Sequence, residues 1–328
     1  MNTNNNKKIR VLSGIQPSGK LHLGNYFGMM SRMINYQDKN DLFCFIVNYH
    51  ALTTIHDRKT LEKNTLNAAI DFLALGLDPN KSTFWIQSDV PQVAELTWLL
   101  SNMTSVGLIE RSTSYKDKIS KGLTPNMGLF SYPVLMAADI LLFGSQIVPV
   151  GKDQKQHLEI TREIAKRFNN IFGETLVVPD EDIKENTMLI PGTDGQKMSK
   201  SYDNIIPIFC SEDDLKKRVM SIVTDSAGIN EPKDKNTPLF NIYSLFLDEK
   251  GRDILEDRYN SPGLRYGDVK KELYETIIEY FSPFKKRREH LLNNLDEVYD
   301  ILIYGSKKAS KVANANITKV REAMGLIY

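Results

Sequence analysis

The segment Leu12–Asn25, which reads LSGIQPSGKLHLGN, decides the fold. It follows a short apolar run, Ile9–Leu12, that predicts a first β-strand, and it precedes Tyr26–Tyr36, which predicts a helix. A glycine-rich turn between a strand and a helix is where phosphates meet backbone N–H groups and the positive end of the helix dipole. The segment holds neither a Walker A motif nor a G-x-G-x-x-G fingerprint. The alternative interpretation is a tight turn that uses glycine only for backbone freedom.

A second polar stretch, Gly192–Ser201, reads GTDGQKMSKS. Two glycines flank a polar turn, and the turn leads into two lysines three residues apart and two serines. Ammonium groups and hydroxyls on a flexible loop suit the binding of a polyanion such as a phosphate chain. A solvated basic loop without a ligand is the alternative.

Together the two segments resemble the signature pair of class I aminoacyl-tRNA synthetases. His22-Leu23-Gly24-Asn25 is similar to the HIGH element, with Asn in the last position, and Lys197–Ser201 reads KMSKS. The resemblance extends from Ser13 to Gly325. It implies an α/β fold, with a Rossmann-like parallel-sheet nucleotide-binding domain followed by an all-α helical domain.

The middle of the chain points to one group within this family. Tyr132–Leu142 reads YPVLMAADILL and is apolar except for Asp139. A carboxylate inside an apolar helix is costly unless a donor reaches it, so Asp139 is either a capped or paired residue or a ligand-binding one. The helix resembles the MAADIL helix of bacterial tryptophanyl-tRNA synthetases, where the Asp accepts a hydrogen bond from the indole N–H. Val148–Glu159, which reads VPVGKDQKQHLE, resembles a further run of the same group.

The resemblance implies that the chain activates L-tryptophan with ATP and transfers it to the tRNA for tryptophan. A tyrosyl-type synthetase, a small adenylyltransferase and a non-charging synthetase relative remain as alternatives. Leu12 departs from the pattern, because relatives often place an aromatic residue there beside the indole.

The resemblance also implies roles for individual residues. Lys197, Ser199 and Lys200 are expected to act in catalysis, with the two lysines holding pyrophosphate. Magnesium is expected with the phosphates, and no protein ligand to a metal is expected. The implied tryptophan contacts are Tyr132, Met136, Asp139, Ile140, Val148, Val150 and Gln154; for the apolar ones, ordinary core packing is the alternative. The implied ATP contacts are Gln16, Pro17, Ser18, His22, Gly24, Asn25, Gly151, Lys152, Asp153, Met188, Lys197, Met198, Ser199, Lys200 and Ser201.

Alternating strand and helix patterns in the first two-thirds of the chain predict a parallel sheet covered by helices. Helical patterns alone follow Ser201, which predicts a catalytic domain at 1–204 and a helical domain at 205–328. In the resembled family the helical domain recognises the anticodon, and its last helix packs back on the catalytic domain. Val269–Tyr280 and Pro283–Leu292 are predicted as separate helices. The predicted strands are Ile9–Leu12, Leu42–Val47, Thr83–Gln87, Ile147–Val150 and Thr175–Val178.

Composition sets further bounds. The chain has 328 residues, of which 41% are hydrophobic and 25% charged, with a net charge of +1. Two distant cysteines, a polar N-terminus and the lack of a long apolar run predict a cytoplasmic protein without membrane contact. Lys285–Arg321 carries a net charge of +5, which fits either a phosphate-contacting surface or a solvated helix face. The resembled family is dimeric, and the apolar run Trp98–Ile109 is either part of a homodimer interface or an internal helix.

Overall fold

The computed structural model describes residues 8–17, 19–120, 122, 124–151, 154–181 and 189–327. Within these residues, five parallel strands form one sheet in the order β3-β2-β1-β4-β5. Because β1 pairs with β2 on one side and β4 on the other, the chain reverses its direction of progress across the sheet at β1. The parallel α/β fold predicted from the sequence is confirmed. The strands are β1 (Arg10–Ile15), β2 (Asp41–Ile46), β3 (Ser82–Ile86), β4 (Ile147–Val148) and β5 (Asp180–Glu181).

The central strands are apolar on both faces. In β2, which reads DLFCFI, every residue after Asp41 is buried. Continuous apolar runs of this kind are typical of parallel strands covered by helices on both sides. The core beside the sheet includes Leu12, Phe43 and Trp85, and the rings of Phe45 and Trp85 stack at a centroid distance of 4.9 Å.

The strand predicted at Thr175–Val178 is wrong, since β5 forms at Asp180–Glu181 instead. The side chain of Asn169 explains the difference. Its Oδ1 accepts from the backbone N–H groups of Thr175 and Leu176 at 3.1 and 2.9 Å, and its Nδ2 donates to the Leu176 carbonyl at 2.8 Å. These bonds occupy the backbone groups that a strand ladder would need.

Helices cover the sheet and form the rest of the chain. Several begin with a side-chain cap, for instance Ser211, whose hydroxyl accepts from the Asp214 N–H. A π-helical stretch, Tyr26–Met30, joins the first two helices. The α-helices are α1 (Leu23–Asn25), α2 (Ser31–Asn35), α3 (Asn48–Ala51), α4 (Arg58–Ala74), α5 (Gln92–Ser101), α6 (Val106–Glu110), α7 (Thr113–Ser120), α8 (Met127–Leu142), α9 (Lys155–Phe172), α10 (Glu212–Met220), α11 (Pro238–Ser244), α12 (Glu249–Asn260), α13 (Tyr266–Asn293) and α14 (Leu295–Ala323).

The chain divides into two compact units. The first unit contains Met1–Gly19, Met33–Glu185 and Leu291–Tyr328, and the second contains Lys20–Arg32 and Asn186–His290. This division differs from the predicted boundary at residue 204, because the HIGH-like and KMSKS segments both belong to the second unit.

Helix α14 packs on the sheet of the first unit. Gly305 allows the closest approach, since a Cβ at this position would lie 1.7 Å from the Phe84 carbonyl oxygen in β3. Asn316 Nδ2 donates to the Leu142 carbonyl at 2.8 Å, and Arg321 forms a bidentate ion pair with Glu95. These contacts place α14 in the first unit although it lies at the end of the chain.

The HIGH-like segment is held in the second unit by backbone pairing. Leu23 N–H donates to the Ile206 carbonyl at 3.0 Å, and Ile208 N–H donates to the Leu21 carbonyl at 3.1 Å. An aromatic cluster then fixes the following turn, in which Tyr26 packs against Phe281 and its hydroxyl lies 3.1 Å from that of Tyr280.

The predicted break between two helices near Pro283 is wrong, because α13 continues through it. An internal proline costs about 3 kcal/mol. Aromatic contacts on both sides of the proline offset this cost, with Phe281 and Phe284 both packed on Tyr26. In the described part of the chain, none of the helices has the length and apolar character that crossing a bilayer requires.

Candidate active site

The first unit holds the carboxylate that the sequence singled out. Asp139 lies in α8 and is 3% exposed. Its Oδ2 is 2.9 Å from His50 Nε2, and Gln87 Nε2 donates to both carboxylate oxygens at 2.8 Å. Burial raises the pKa of Asp139, and the hydrogen bonds from His50 and Gln87 act against that rise. Asp139 is therefore a paired, buried acceptor and not a surface cap.

Gln87 and His50 come from the ends of two other elements. Gln87 begins a 3-10 turn directly after β3, and His50 lies in the short helix α3 after β2. Because carboxyl ends of neighbouring parallel strands meet at one edge of a sheet, both side chains reach the same place. Asn48 and Ser88 link the two connections, with Asn48 Nδ2 donating to Ser88 Oγ at 2.8 Å and Ser88 N–H donating to Asn48 Oδ1 at 3.1 Å.

The other predicted tryptophan-binding residues lie in α8, in or just after β4, and at the start of α9. Tyr132 lies in α8, as does Asp139, and the centroids of the Tyr132 and His50 rings are 4.2 Å apart. Ile140 and Val148 belong to the buried core that also contains Leu12, and Met136 and Val150 pack against it. Gln154 caps α9, where its backbone N–H donates to the carbonyl of Gly151 at 2.9 Å.

A cavity of about 340 Å³ opens beside Tyr132. Tyr132 is the one predicted tryptophan contact among its lining residues, which come mainly from α3, α5 and α8. Asp139 is not among the residues that line this cavity, and its side chain is buried.

The turn after β1 carries the predicted contacts Gln16 and Pro17, of which Gln16 is exposed and Pro17 buried. Gly14 precedes them in β1 and packs closely, since a Cβ there would lie 2.7 Å from Val47 Cγ1. Four predicted ATP contacts, Ser18, Lys152, Asp153 and Met188, lie outside the described residues.

In the second unit the two signature segments touch. Gly24 N–H donates to the sulfur of Met198 at 3.2 Å, and Met198 is buried. A Cβ at position 24 would lie 3.0 Å from His22 Nδ1 and 3.3 Å from Met198 Cβ. Glycine at this position therefore lets the His22 ring and Met198 pack around the start of α1, where Asn25 Oδ1 accepts from the His22 N–H at 3.1 Å.

His22 is buried, and its Nδ1 has no hydrogen-bond partner among the described residues. Burial, together with the positive charge of Lys200, lowers the pKa of His22 to about 4. At neutral pH this imidazole is uncharged, so it can donate or accept a hydrogen bond but adds no positive charge to the site.

The KMSKS loop is organised by Asn204, which is buried. Its Oδ1 accepts from the Ser199 N–H at 2.8 Å, and its Nδ2 donates to Asp194 Oδ1 at 2.7 Å and to the Lys197 carbonyl at 3.1 Å. A Cβ on Gly192 would lie 2.3 Å from the Asn204 side chain, so this glycine serves close approach. Gly195 serves a turn, with φ of +86°.

The functional groups of the loop face solvent. Lys197, Lys200 and Ser201 are exposed, and the hydroxyls of Ser199 and Ser201 lie 2.8 Å apart. Partial desolvation lowers the pKa of Lys200, although the residue as a whole is exposed. The Met198 N–H donates to the Ile190 carbonyl at 3.0 Å. The arrangement presents two ammonium groups and two hydroxyls on a loop whose backbone is fixed.

Sequence reasoning missed Gln87, His50 and Asn204. Each is a polar residue in a segment between a strand and a later helix, and no hydrophobic periodicity in the sequence marks these segments. A usable signal for the first two is that both lie within four residues of the carboxyl end of an apolar strand. In the described part of the chain, no group of three or more His, Cys, Asp or Glu residues is placed to hold a metal ion.

Comparison with known proteins adds to this geometry. A family model described as tRNA synthetases class I (W and Y) matches residues 3–282. The tryptophan–tRNA ligase of Fusobacterium nucleatum is 52% identical over 319 residues, which are 97% of this chain and 98% of that protein. The crystal structure of tryptophanyl-tRNA synthetase from Campylobacter jejuni complexed with ADP and tryptophan has 51% identity and a TM-score of 0.91, covering 97% of this chain and all of that one. The enzyme from Mycoplasma pneumoniae is 30% identical with a TM-score of 0.82, covering 97% and 98%.

Proposed function

The chain belongs to the class I tRNA synthetases of the tryptophan and tyrosine family, and we propose that it is a ligase that joins L-tryptophan to its tRNA. In the first step a carboxylate oxygen of tryptophan attacks the α-phosphorus of ATP, and the bond to the leaving pyrophosphate breaks. In the second step the 2′-OH of the terminal adenosine attacks the carbonyl of the adenylate, and AMP leaves with the bonding electron pair.

The observation that carries this proposal is the contact between Gly24 and Met198, which joins the two signature segments across 174 residues of sequence. A site made of these two segments suits a nucleotide triphosphate, because one offers a helix start and the other offers ammonium groups. The near-complete overlap with tryptophan–tRNA ligases then favours tryptophan as the amino acid.

The substrate supplies its own nucleophile, so the protein has mainly to orient the reactants and stabilise charge. Lys197 and Lys200 stabilise the pyrophosphate as its negative charge develops, and Ser199 donates to the same phosphates. His22, Gly24 and Asn25 contact the nucleotide. Magnesium enters with ATP as the counter-ion of its phosphates and is written as part of that substrate.

Residues of the first unit select the amino acid. Asp139 accepts from the indole N–H, while Tyr132 and Gln154 contact the α-amino group. Met136, Ile140, Val148 and Val150 supply apolar surface to the ring.

ATP–pyrophosphate exchange tests the proposal directly when it is run with each of the twenty amino acids. Exchange with tryptophan alone is expected. Exchange with tyrosine would make the chain a tyrosyl-type synthetase, and no exchange with any amino acid would make it a non-charging relative. A second assay with the tRNA for tryptophan then tests the transfer step.

We also propose that the chain works as a cytoplasmic homodimer. In the predicted interface run, Trp98 is 69% exposed and Val106 is 61% exposed, although neighbouring residues such as Leu100 are buried. Apolar side chains of this size on a surface mark a contact site. Sedimentation equilibrium should give a molecular mass twice that of one chain. In Trp98→Glu the measured mass should fall to that of a single chain. Ile254→Glu, at a residue of the second unit with 62% exposure, is the matched control and should leave the mass unchanged.

The predicted role of residues 205–328 in anticodon recognition completes the proposal. The net positive stretch Lys285–Arg321 supplies charge for phosphate contacts, which weaken as salt rises. Exchanging Lys307 and Lys308 for Glu should raise KM for tRNA in the transfer step and leave exchange with tryptophan intact.

A further inference from the structure

We propose that Gln87 and His50 are positioning residues, which hold the Asp139 carboxylate as an acceptor aimed at the ring N–H of the amino-acid substrate. The inference rests on the proposed function and deepens it. Asp139, Gln87 and His50 then together select a substrate ring that carries an N–H, and the carboxylate does not act alone.

The orientation of the Gln87 amide is chemically determined. Its Oε1 accepts from the Tyr49 backbone N–H at 3.0 Å, and a backbone N–H can only donate. The other end of the amide, Nε2, must therefore face Asp139, where it lies 2.8 Å from both carboxylate oxygens. Gln87 is 1% exposed, so water does not compete for these bonds.

His50 holds the same carboxylate from a second direction. Its Nε2 lies 2.9 Å from Asp139 Oδ2, and its Nδ1 is buried without a hydrogen-bond partner among the described residues. The backbone carbonyl of His50 accepts from Thr53 Oγ1 at 2.9 Å, which fixes the short helix that carries it.

Counting hydrogen-bond capacity shows what the network still accepts. A carboxylate has about four acceptor sites, and the two protein donors leave at least one unused. A buried carboxylate with an acceptor site to spare favours a ligand that brings a donor, and leaves an isosteric ligand without a donor at a disadvantage.

The test is ATP–pyrophosphate exchange with tryptophan and with 3-benzothienylalanine, in which sulfur replaces the ring N–H. The quantity measured is the ratio of kcat/KM for the two amino acids. In Gln87→Met and His50→Leu this ratio is expected to fall about tenfold, because Asp139 is no longer held in the accepting position. In His50→Gln, whose amide restores a donor in place of Nε2–H, much of the ratio should return.

Gln37→Met is the matched control. Gln37 is also a buried glutamine of the first unit that accepts from a backbone N–H, that of Asp78, and donates from Nε2, here to the Gly76 carbonyl. Its loss should change the exchange rates for both amino acids by the same factor and leave the ratio unchanged.

The outcomes separate the inference from the function on which it rests. A wild-type chain without tryptophan-dependent exchange overturns both. A wild-type chain that activates tryptophan but gives a ratio near one, or an unchanged ratio in Gln87→Met and His50→Leu, overturns the inference and leaves the function standing. If Gln87→Met does not fold, His50→Leu and His50→Gln are compared instead. Equal ratios of kcat/KM in these two variants also overturn the inference.

Discussion

The Asp139 network and the KMSKS loop bind their expected ligands by opposite means. Asp139, Gln87 and His50 are buried, and their side chains are already paired with one another. In the loop, the backbone is held by Asn204 while Lys197 and Lys200 extend into solvent. One region holds its functional groups in the buried core, and the other presents its lysines at the surface of a backbone that is held in place.

The ligands that we propose for the two regions explain this difference. An indole N–H is a single weak donor, and it is distinguished only where water is excluded and an unpaired acceptor is costly. A triphosphate carries several charges and exchanges a bond during the reaction, so ammonium groups at the surface of the loop can stabilise the charge as it moves to pyrophosphate. The comparison predicts that variants of the buried network change specificity, whereas variants of the loop change rate.

The largest effect is expected from Asp139→Ala. The variant loses one acceptor and strands two buried donors, and each change costs about 1–3 kcal/mol. The lost acceptor alone should lower kcat/KM for tryptophan by up to about 150-fold, with KM for ATP nearly constant, while the stranded donors lower the stability of the protein. Exchange measured at saturating ATP checks this. Unaltered tryptophan-dependent exchange in a folded Asp139→Ala protein would contradict the role of the network.

The next effect is expected from Lys197→Ala and Lys200→Ala. Both side chains are exposed, so solvent screening reduces their contribution, and kcat should fall about 10–100-fold in each variant. KM for ATP and tryptophan should change much less, because the interaction strengthens as pyrophosphate leaves. Single-turnover kinetics separate the two terms. A loss seen wholly as weaker ATP binding would show that the lysines bind the ground state.

Asn204→Ala tests whether the loop depends on its fixed backbone. The variant removes the acceptor for Ser199 N–H and the donor to the Lys197 carbonyl, so the two lysines lose their common support. We expect kcat to fall about tenfold, which corresponds to one or two hydrogen bonds. Asn236→Ala, at an exposed asparagine of the same unit, should have no effect. Equal rates for the two variants would mean that the loop orders without Asn204.

The smallest effect concerns His22, which is buried like Asp139 but lies in the same unit as the loop. The folded protein keeps His22 neutral down to about pH 4, whereas the unfolded chain binds a proton near the ordinary pKa of 6.5. Between these values the unfolded state holds more protons, so the free energy of unfolding falls as the pH drops from 6.5 towards 4. His22→Gln should lose less stability than the wild type over this range, as measured by urea unfolding at several pH values. If the free energy of unfolding depends on pH in the same way in both proteins, His22 is not the source of the acid sensitivity.

Much of this architecture was predictable because its signals are local. Apolar runs predicted four of the strands close to their observed positions, and the lone carboxylate in YPVLMAADILL marked Asp139 before any contact was known. The errors also have local causes, since Asn169 captures the backbone at Thr175–Leu176 and aromatic packing carries α13 through Pro283.

The sequence by itself determined the class of fold, the two signature segments and the presence of a carboxylate that needs a partner. Only the tertiary structure decided which partners it finds, since Gln87 and His50 lie 52 and 89 residues away from Asp139. It likewise decided that Asn204 holds the backbone of the KMSKS loop. The physical reason is that periodicity and composition report how a segment meets its immediate surroundings. Pairing between distant polar groups depends instead on where the packed core places the ends of separate strands and helices.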